Sequence, residues 1–151
     1  MIVFLLSLFI SVSIFAIILP MAQPINKKVL LVEDEPMLSN LLKGRLEKDG
    51  LQVVQARDGA EALADLKAEK YDLVLLDIIL PKMSGFEVME SMKSDPNIQE
   101  VPIVIVSNLG QESDIQKGQM LGAVGYFVKA QLSIEDLVSK IKEFFTDNNR
   151  Q

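Results

Sequence analysis

Two stretches of this chain, Leu73-Val74-Leu75-Leu76 and Ile103-Val104-Ile105-Val106, are apolar at every position and lead straight into a polar residue. A strand with one wet face alternates, so an unbroken short run marks a strand covered on both faces, as in a parallel sheet flanked by helices. Both runs therefore belong at the centre of a sheet. From Lys27 onward short apolar segments alternate with longer amphipathic ones, which is the pattern of repeated strand–helix units. Strands are expected at Val29 to Glu33, Leu51 to Gln55, Tyr71 to Asp77, Val101 to Ser107 and Val124 to Lys129.

The intervening segments carry helix signals. Asp58, Ser84 and Ser133 each stand three residues before an acid, the spacing that satisfies the free amides of a first helical turn. Pro36 suits the start of the first helix, where a missing donor costs nothing. Apolar stripes at helical spacing are expected to face the core: Leu38, Leu41, Leu42 and Leu46; Ala62, Leu63 and Leu66; Phe86, Met89 and Met92; Leu137, Ile141, Phe144 and Phe145. The fourth helix, Gln111 to Leu121, is the weakest, with Gly118 inside it and few large apolar residues. Right-handed crossovers reduce the topologies to an α/β, doubly wound, five-stranded parallel sheet with five helices and strand order 2-1-3-4-5. Its ligand site lies at the carboxyl ends of the strands, where the winding reverses.

Residues 1–20 are of another kind, with 16 apolar positions and no charge. Ile2 to Leu19 would extend roughly 27 Å as a helix, close to the bilayer core thickness. Lys27 and Lys28 follow it, which would place the rest of the chain in the cytoplasm, anchored at the inner face of the membrane. The competing reading is that Met21 is the true start and the hydrophobic segment is translated upstream sequence; sequencing the N-terminus of the expressed protein separates the two. The expected organisation is a leader at 1–20, a linker at 21–27, one domain at 28–145 and a polar tail at 146–151.

With no Cys and no His, the chain excludes thiol or imidazole metal sites, disulfides and Ser-His-Asp hydrolysis. A net charge of −6 without a basic cluster argues against nucleic acid as a partner. Carboxylate, hydroxyl and amine chemistry remain. The strand ends supply it: Glu33-Asp34-Glu35 after the first, Asp77 after the third, Ser107 after the fourth and Lys129 after the fifth. Each has an ordinary explanation alone, as a cap, a turn residue or a solvated tip. Together they meet on one edge. Glu33, Asp34 and Asp77 would repel one another beside a single lysine, and a hard divalent ion such as Mg²⁺ brings the formal charge to zero. A carboxylate can attack phosphorus, and Asp77 is the candidate acceptor, with Lys129 to stabilise charge and Ser107 to hydrogen-bond a phosphoryl oxygen. If Ser107 swung inward, Tyr126 could turn into the space beneath the fourth helix.

These residues resemble the receiver domain of bacterial two-component response regulators, in the single-domain, CheY-like form, over roughly Lys27 to Phe145. The most specific segment is Leu73 to Gly85, which combines buried strand, Asp77 and a Pro/Gly loop. The resemblance implies a flavodoxin-like fold and a non-enzymatic phosphorylation switch with Asp77 as phosphoacceptor. It assigns Glu33 and Asp34 as the acidic metal pair, Ser107 and Tyr126 as switch residues and Lys129 as the conserved-type lysine. Mg²⁺ would also be ligated by the Ile79 backbone carbonyl, with Glu33 reaching it mostly through water. The implied partners are a sensor histidine kinase or phosphotransfer protein and a downstream protein effector, the latter because the tail after Phe145 is too short for an output domain. Two positions depart from the family pattern: Ala130 where proline usually follows the lysine, and Asn108 where a very small residue usually follows the hydroxyl. A non-proline cis bond costs about 3–4 kcal/mol, so the Lys129–Ala130 peptide is either trans with a reshaped loop or strained. Two alternatives stand beside the switch. One is a degenerate receiver acting as a constitutive scaffold. The other is an aspartyl-phosphate phosphatase, which would need an acid where Ile79 stands.

Overall fold

The computed structural model describes residues 26–148. Five strands, β1 (Lys28–Val32), β2 (Gln52–Ala56), β3 (Leu73–Leu76), β4 (Ile103–Ser107) and β5 (Gly125–Val128), pair in parallel in the order β2-β1-β3-β4-β5. Between and after them run α1 (Pro36–Lys48), α2 (Gly59–Ala68), α3 (Gly85–Lys93), α4 (Glu112–Met120) and α5 (Ile134–Asn148). The hydrophobic segment 1–20 lies outside the described residues. Among the described residues no helix is long and apolar enough to cross a membrane.

The unbroken apolar runs have the expected cause. Leu73 and Leu75 join one buried cluster with Val29, Leu31, Leu42, Leu46 and Ile141, beneath α1 and α5. Val74 and Leu76 join the other with Leu30, Val32, Leu66, Phe86 and Met89, beneath α2 and α3. Alternate residues of one strand thus feed opposite cores, and no position is left for a polar side chain until the strand ends.

The three cap spacings are realised. Asp58 accepts from the Glu61 amide at 2.9 Å, Ser84 and Glu87 form a reciprocal capping box, and the Ser133 hydroxyl accepts from the Asp136 amide at 3.1 Å. Pro36 opens α1. One stripe residue departs from expectation: Leu41 is 48% exposed, because the buried line of α1 runs through Leu42 and Leu46. The third and fifth strands are also shorter than the expected spans of Tyr71 to Asp77 and Val124 to Lys129, so Asp77 and Lys129 each directly follow the last residue of their strand. Lys129–Gln131 forms a single 3-10 turn, and the Lys129–Ala130 peptide is trans, the reshaped-loop alternative.

The start of α3 fits tightly against the end of β3. A Cβ on Gly85 would lie 2.8 Å from the Ile78 Cα and would strike the Asp77 carbonyl oxygen. Because that obstacle is backbone, Gly85→Ala is expected to cost about 2–3 kcal/mol in urea unfolding, whereas Gly44→Ala, with open space around it, should be neutral or stabilising.

Candidate functional site

The carboxyl edge of the sheet fixes the backbone of each site residue before any side chain is considered. The Glu33 amide donates to the Ala56 carbonyl and the Asp77 amide to the Val32 carbonyl, both at 3.0 Å, extending the ladder by one rung on either side of β1. Two acids are therefore delivered to neighbouring strand ends. Glu33 is 3% exposed and Asp77 6%.

One ammonium joins them. Lys129 Nζ donates to Asp77 Oδ2 at 2.5 Å and to Glu33 Oε2 at 2.6 Å, from the far side of the β3–β4–β5 ladder. The remaining carboxylate oxygens are held by local amides: Ile79 N–H donates to Asp77 Oδ1 at 3.0 Å and Glu35 N–H to Glu33 Oε1 at 3.2 Å. Burial pushes Glu33 above the usual carboxylate range, against the lowering influence of the Lys129 bond. Burial also opposes the charge on Lys129, but its bonds to Asp77 and Glu33 outweigh that and hold it above the ordinary lysine value.

Asp34 completes the cluster. One carboxylate oxygen from each of Glu33, Asp34 and Asp77 lies within 4.8 Å of the others. Asp34 is exposed while its two neighbours are buried, so the cluster opens to water on the Asp34 side. The following residue, Glu35, occupies the N-cap of α1 yet makes no side-chain capping bond. The donor set is all hard oxygen, has no imidazole or thiolate, and carries more negative charge than Lys129 balances, which suits a small hard divalent ion. Ile79 lies in the loop immediately after Asp77, with its amide turned back onto that carboxylate.

Ser107 closes β4, and Tyr126 is the second residue of β5, opposite Ile105. Ser107 is fully buried, and its Oγ accepts from the Leu109 amide at 3.4 Å. The Tyr126 hydroxyl donates to the Leu109 carbonyl at 2.8 Å, with its ring packed against the cluster beneath α2 and α3. Leu109 thus touches both groups through its two backbone polar atoms. Of α4, only Gly118 is buried; a Cβ there would lie 2.6 Å from Ile105 Cδ1 and 3.1 Å from the Tyr126 ring, so α4 sits flush on the sheet only because that side chain is absent. A pairing that the sequence did not disclose lies on the other side of Asp77: Lys82 Nζ on Asp58 Oδ2 at 2.5 Å, between residues 24 apart in the chain. Opposite charges at that separation carry no periodic signal.

Fold and site together define the class of α/β signalling domains whose chemistry sits on a carboxylate–lysine cluster at the sheet edge. The profile of the response regulator receiver domain matches residues 29–142, and the chain belongs to that family. It is 35% identical over 102 residues to protein PilH of Pseudomonas aeruginosa, covering 68% of this chain and 84% of that one. It is also 35% identical over 137 residues to the gliding motility regulatory protein of Myxococcus xanthus, covering 85% of this chain but 18% of the relative. With the alkaline phosphatase synthesis transcriptional regulatory protein PhoP of Bacillus subtilis it shares 39% identity over 69% of this chain and 42% of that one. Against several of its relatives the chain thus spans less than half their length. Among solved structures, the phosphorylated cyanobacterial phytochrome response regulator RcpA superimposes with a TM-score of 0.72 at 34% identity, over 82% of this chain and 96% of that one. The Mn²⁺-bound form of response regulator Rcp1 superimposes with a TM-score of 0.68 at 28% identity, over 78% and 90%.

A lysine whose native pKa lies above the unfolded one contributes stability that is complete below the unfolded value and is lost as pH rises through the native value. In chelator, wild type is therefore expected to exceed Lys129→Met by about 3 kcal/mol near neutral pH, the cost of leaving buried acids without their cation. On the alkaline side that gap should narrow above pH 10.5, as read by urea unfolding across the alkaline range.

Proposed function

We propose that this chain is a phosphorylation-dependent switch in which Asp77 accepts a phosphoryl group from the histidine of a kinase or phosphotransfer protein. The observation that carries this reading is the Asp77 carboxylate bonded to Lys129 Nζ at 2.5 Å within an acidic cluster that opens to solvent through Asp34. In the step, an Asp77 oxygen forms a bond to phosphorus as the donor's phosphorus–nitrogen bond breaks, and the departing imidazole keeps the electron pair. Mg²⁺ held by Asp34, Asp77 and the Ile79 carbonyl, with Glu33 behind them, would supply positive charge to the phosphoryl oxygens.

The protein groups do the rest. Glu33 stays on Lys129 and keeps the ammonium aimed at the reacting oxygens. Ser107 Oγ, which here only accepts, has its proton free to donate to a phosphoryl oxygen. Drawing Ser107 toward the phosphoryl group would pull on Leu109, and through its carbonyl on Tyr126, which lies under α4. The effector would read that change on the α4, β5 and α5 face. Ile79 supplies no acid for turnover, which favours a long-lived modification over phosphatase chemistry.

A second reading, the constitutive scaffold, draws on the two departures from the family pattern, Ala130 after the lysine and Asn108 after the hydroxyl. Beryllofluoride separates the two, since a switch shifts the amide resonances of Ser107, Leu109 and Tyr126 and a scaffold does not.

Incubation with acetyl phosphate, read by intact mass, is expected to add one phosphoryl group in the presence of Mg²⁺, with little addition in chelator and none in Asp77→Ala. Equal labelling of wild type and Asp77→Ala would overturn the assignment of the acceptor.

A further inference from the structure

The loop between β3 and α3 carries Ile79, and it is held from outside the acidic cluster. Lys82 lies in that loop with φ of 65°, a left-handed conformation that disfavours any residue with a side chain. A lysine there persists only where its surroundings compensate. They do so through Asp58, the N-cap of α2. Asp58 is 8% exposed; its Oδ1 accepts from the Glu61 amide at 2.9 Å, and its Oδ2 accepts from Lys82 Nζ at 2.5 Å. The Lys82 side chain is 72% exposed, but the cap bond already fixes the Asp58 carboxylate, so only the lysine end of the pair loses freedom in forming it. The hydrogen bond between them holds Asp58 below its usual value and Lys82 above its own.

A second contact joins the same two elements. A Cβ on Gly59, the first residue of α2, would lie 2.9 Å from the Met83 carbonyl oxygen and 2.6 Å from Val88 Cγ2, so the start of α2 rests directly on the loop backbone. Within the loop, the Met83 amide donates to the Pro81 carbonyl at 2.7 Å and the Gly85 amide to the Ile78 carbonyl at 2.9 Å. The segment from Asp77 to Gly85 is thereby fastened at both ends and in the middle.

We propose that Asp58 and Lys82 are positioning residues for the metal site: their pairing holds the 78–84 loop so that the Ile79 carbonyl is presented to a divalent ion bound by the acidic cluster. The inference rests on the reading of that cluster as a Mg²⁺ site. It assigns to a helix cap and a strained loop lysine, neither of which touches the acids, control over how tightly the ion is held.

Two substitutions separate positioning from plain stabilisation. Asp58→Asn preserves the α2 cap, because asparagine caps as well as aspartate, but removes the charge that holds Lys82. Lys82→Gly removes the amine yet relieves the left-handed backbone, so global stability should hold or rise. In both, the Mg²⁺ dissociation constant measured by calorimetry is expected to increase about tenfold, the usual scale for losing support behind a ligand. The Ile79, Met83 and Gly85 amides should exchange hydrogen faster in the metal-free protein, and Lys82→Arg should restore both properties. Wild-type Mg²⁺ affinity in Asp58→Asn and Lys82→Gly, or affinity and stability of Lys82→Gly falling together, would overturn the proposal. If wild type itself bound no Mg²⁺, the metal reading of the cluster would fail and positioning of an ion with it. Hydrogen exchange in the metal-free protein would then still show whether the pairing orders the loop.

Discussion

A single ammonium group shared by two buried carboxylates is the constraint around which this molecule is organised. Glu33 and Asp77 emerge from adjacent strands with their backbones still in the ladder, and Lys129 sets one positive charge between the two buried carboxylates. The lysine comes from β5, separated from β1 by two strands, so the whole width of the sheet from β1 to β5 must be in register for it to arrive. Stability of the edge and readiness of the site are therefore the same property. With Asp34 the cluster sets three carboxylates against one lysine, which leaves it disposed toward a further cation.

The burial pattern explains why the chemistry gathers where it does. Alternate side chains of β1, β3 and β4 supply two separate apolar clusters, so polar groups are tolerated only beyond the last rung. In a parallel sheet those last rungs all lie on one edge. Around that edge the connections differ in tightness. The β3–α3 loop is pinned by Gly85, Gly59 and the Asp58–Lys82 pair, whereas α4 meets the sheet mainly through Gly118 and the Tyr126 ring. A firmly held side carrying Asp77 and a lightly held side carrying the tyrosine is the division that the proposed switch would need.

How far the chain could be read from its residues depended on the range of the signal. The strand runs, the three capping pairs and Pro36 each act within a few positions, and each appears in the structure as the spacing implied. Leu41 shows the limit of helical periodicity: a stripe three or four residues wide has edges, and only packing decides which edge residue is covered. The strand ends show another. The expected spans begin too early, at Tyr71, Val101 and Val124, each one or two residues before its strand, and Val124 is 56% exposed, because an apolar residue at the mouth of a strand need be neither paired along its length nor covered. The acids, Ser107 and Lys129 were legible because each closes or follows a strand, but the bond between Glu33 and Lys129 was not, nor was the pairing of Asp58 with Lys82 across the mouth of the loop.

By itself the sequence determined the class of sheet, the order of its strands and the edge on which acids, hydroxyl and lysine collect, since hydrophobic period and crossover handedness leave little freedom in those matters. Tertiary structure alone decided which oxygen Lys129 holds, that Tyr126 reaches the Leu109 carbonyl, that Ala130 follows a trans peptide, and that a left-handed lysine is restrained by a helix cap. The reason is physical: period and handedness are local properties of a chain, whereas a hydrogen bond between distant side chains depends on sub-ångström placement that only the packed core supplies.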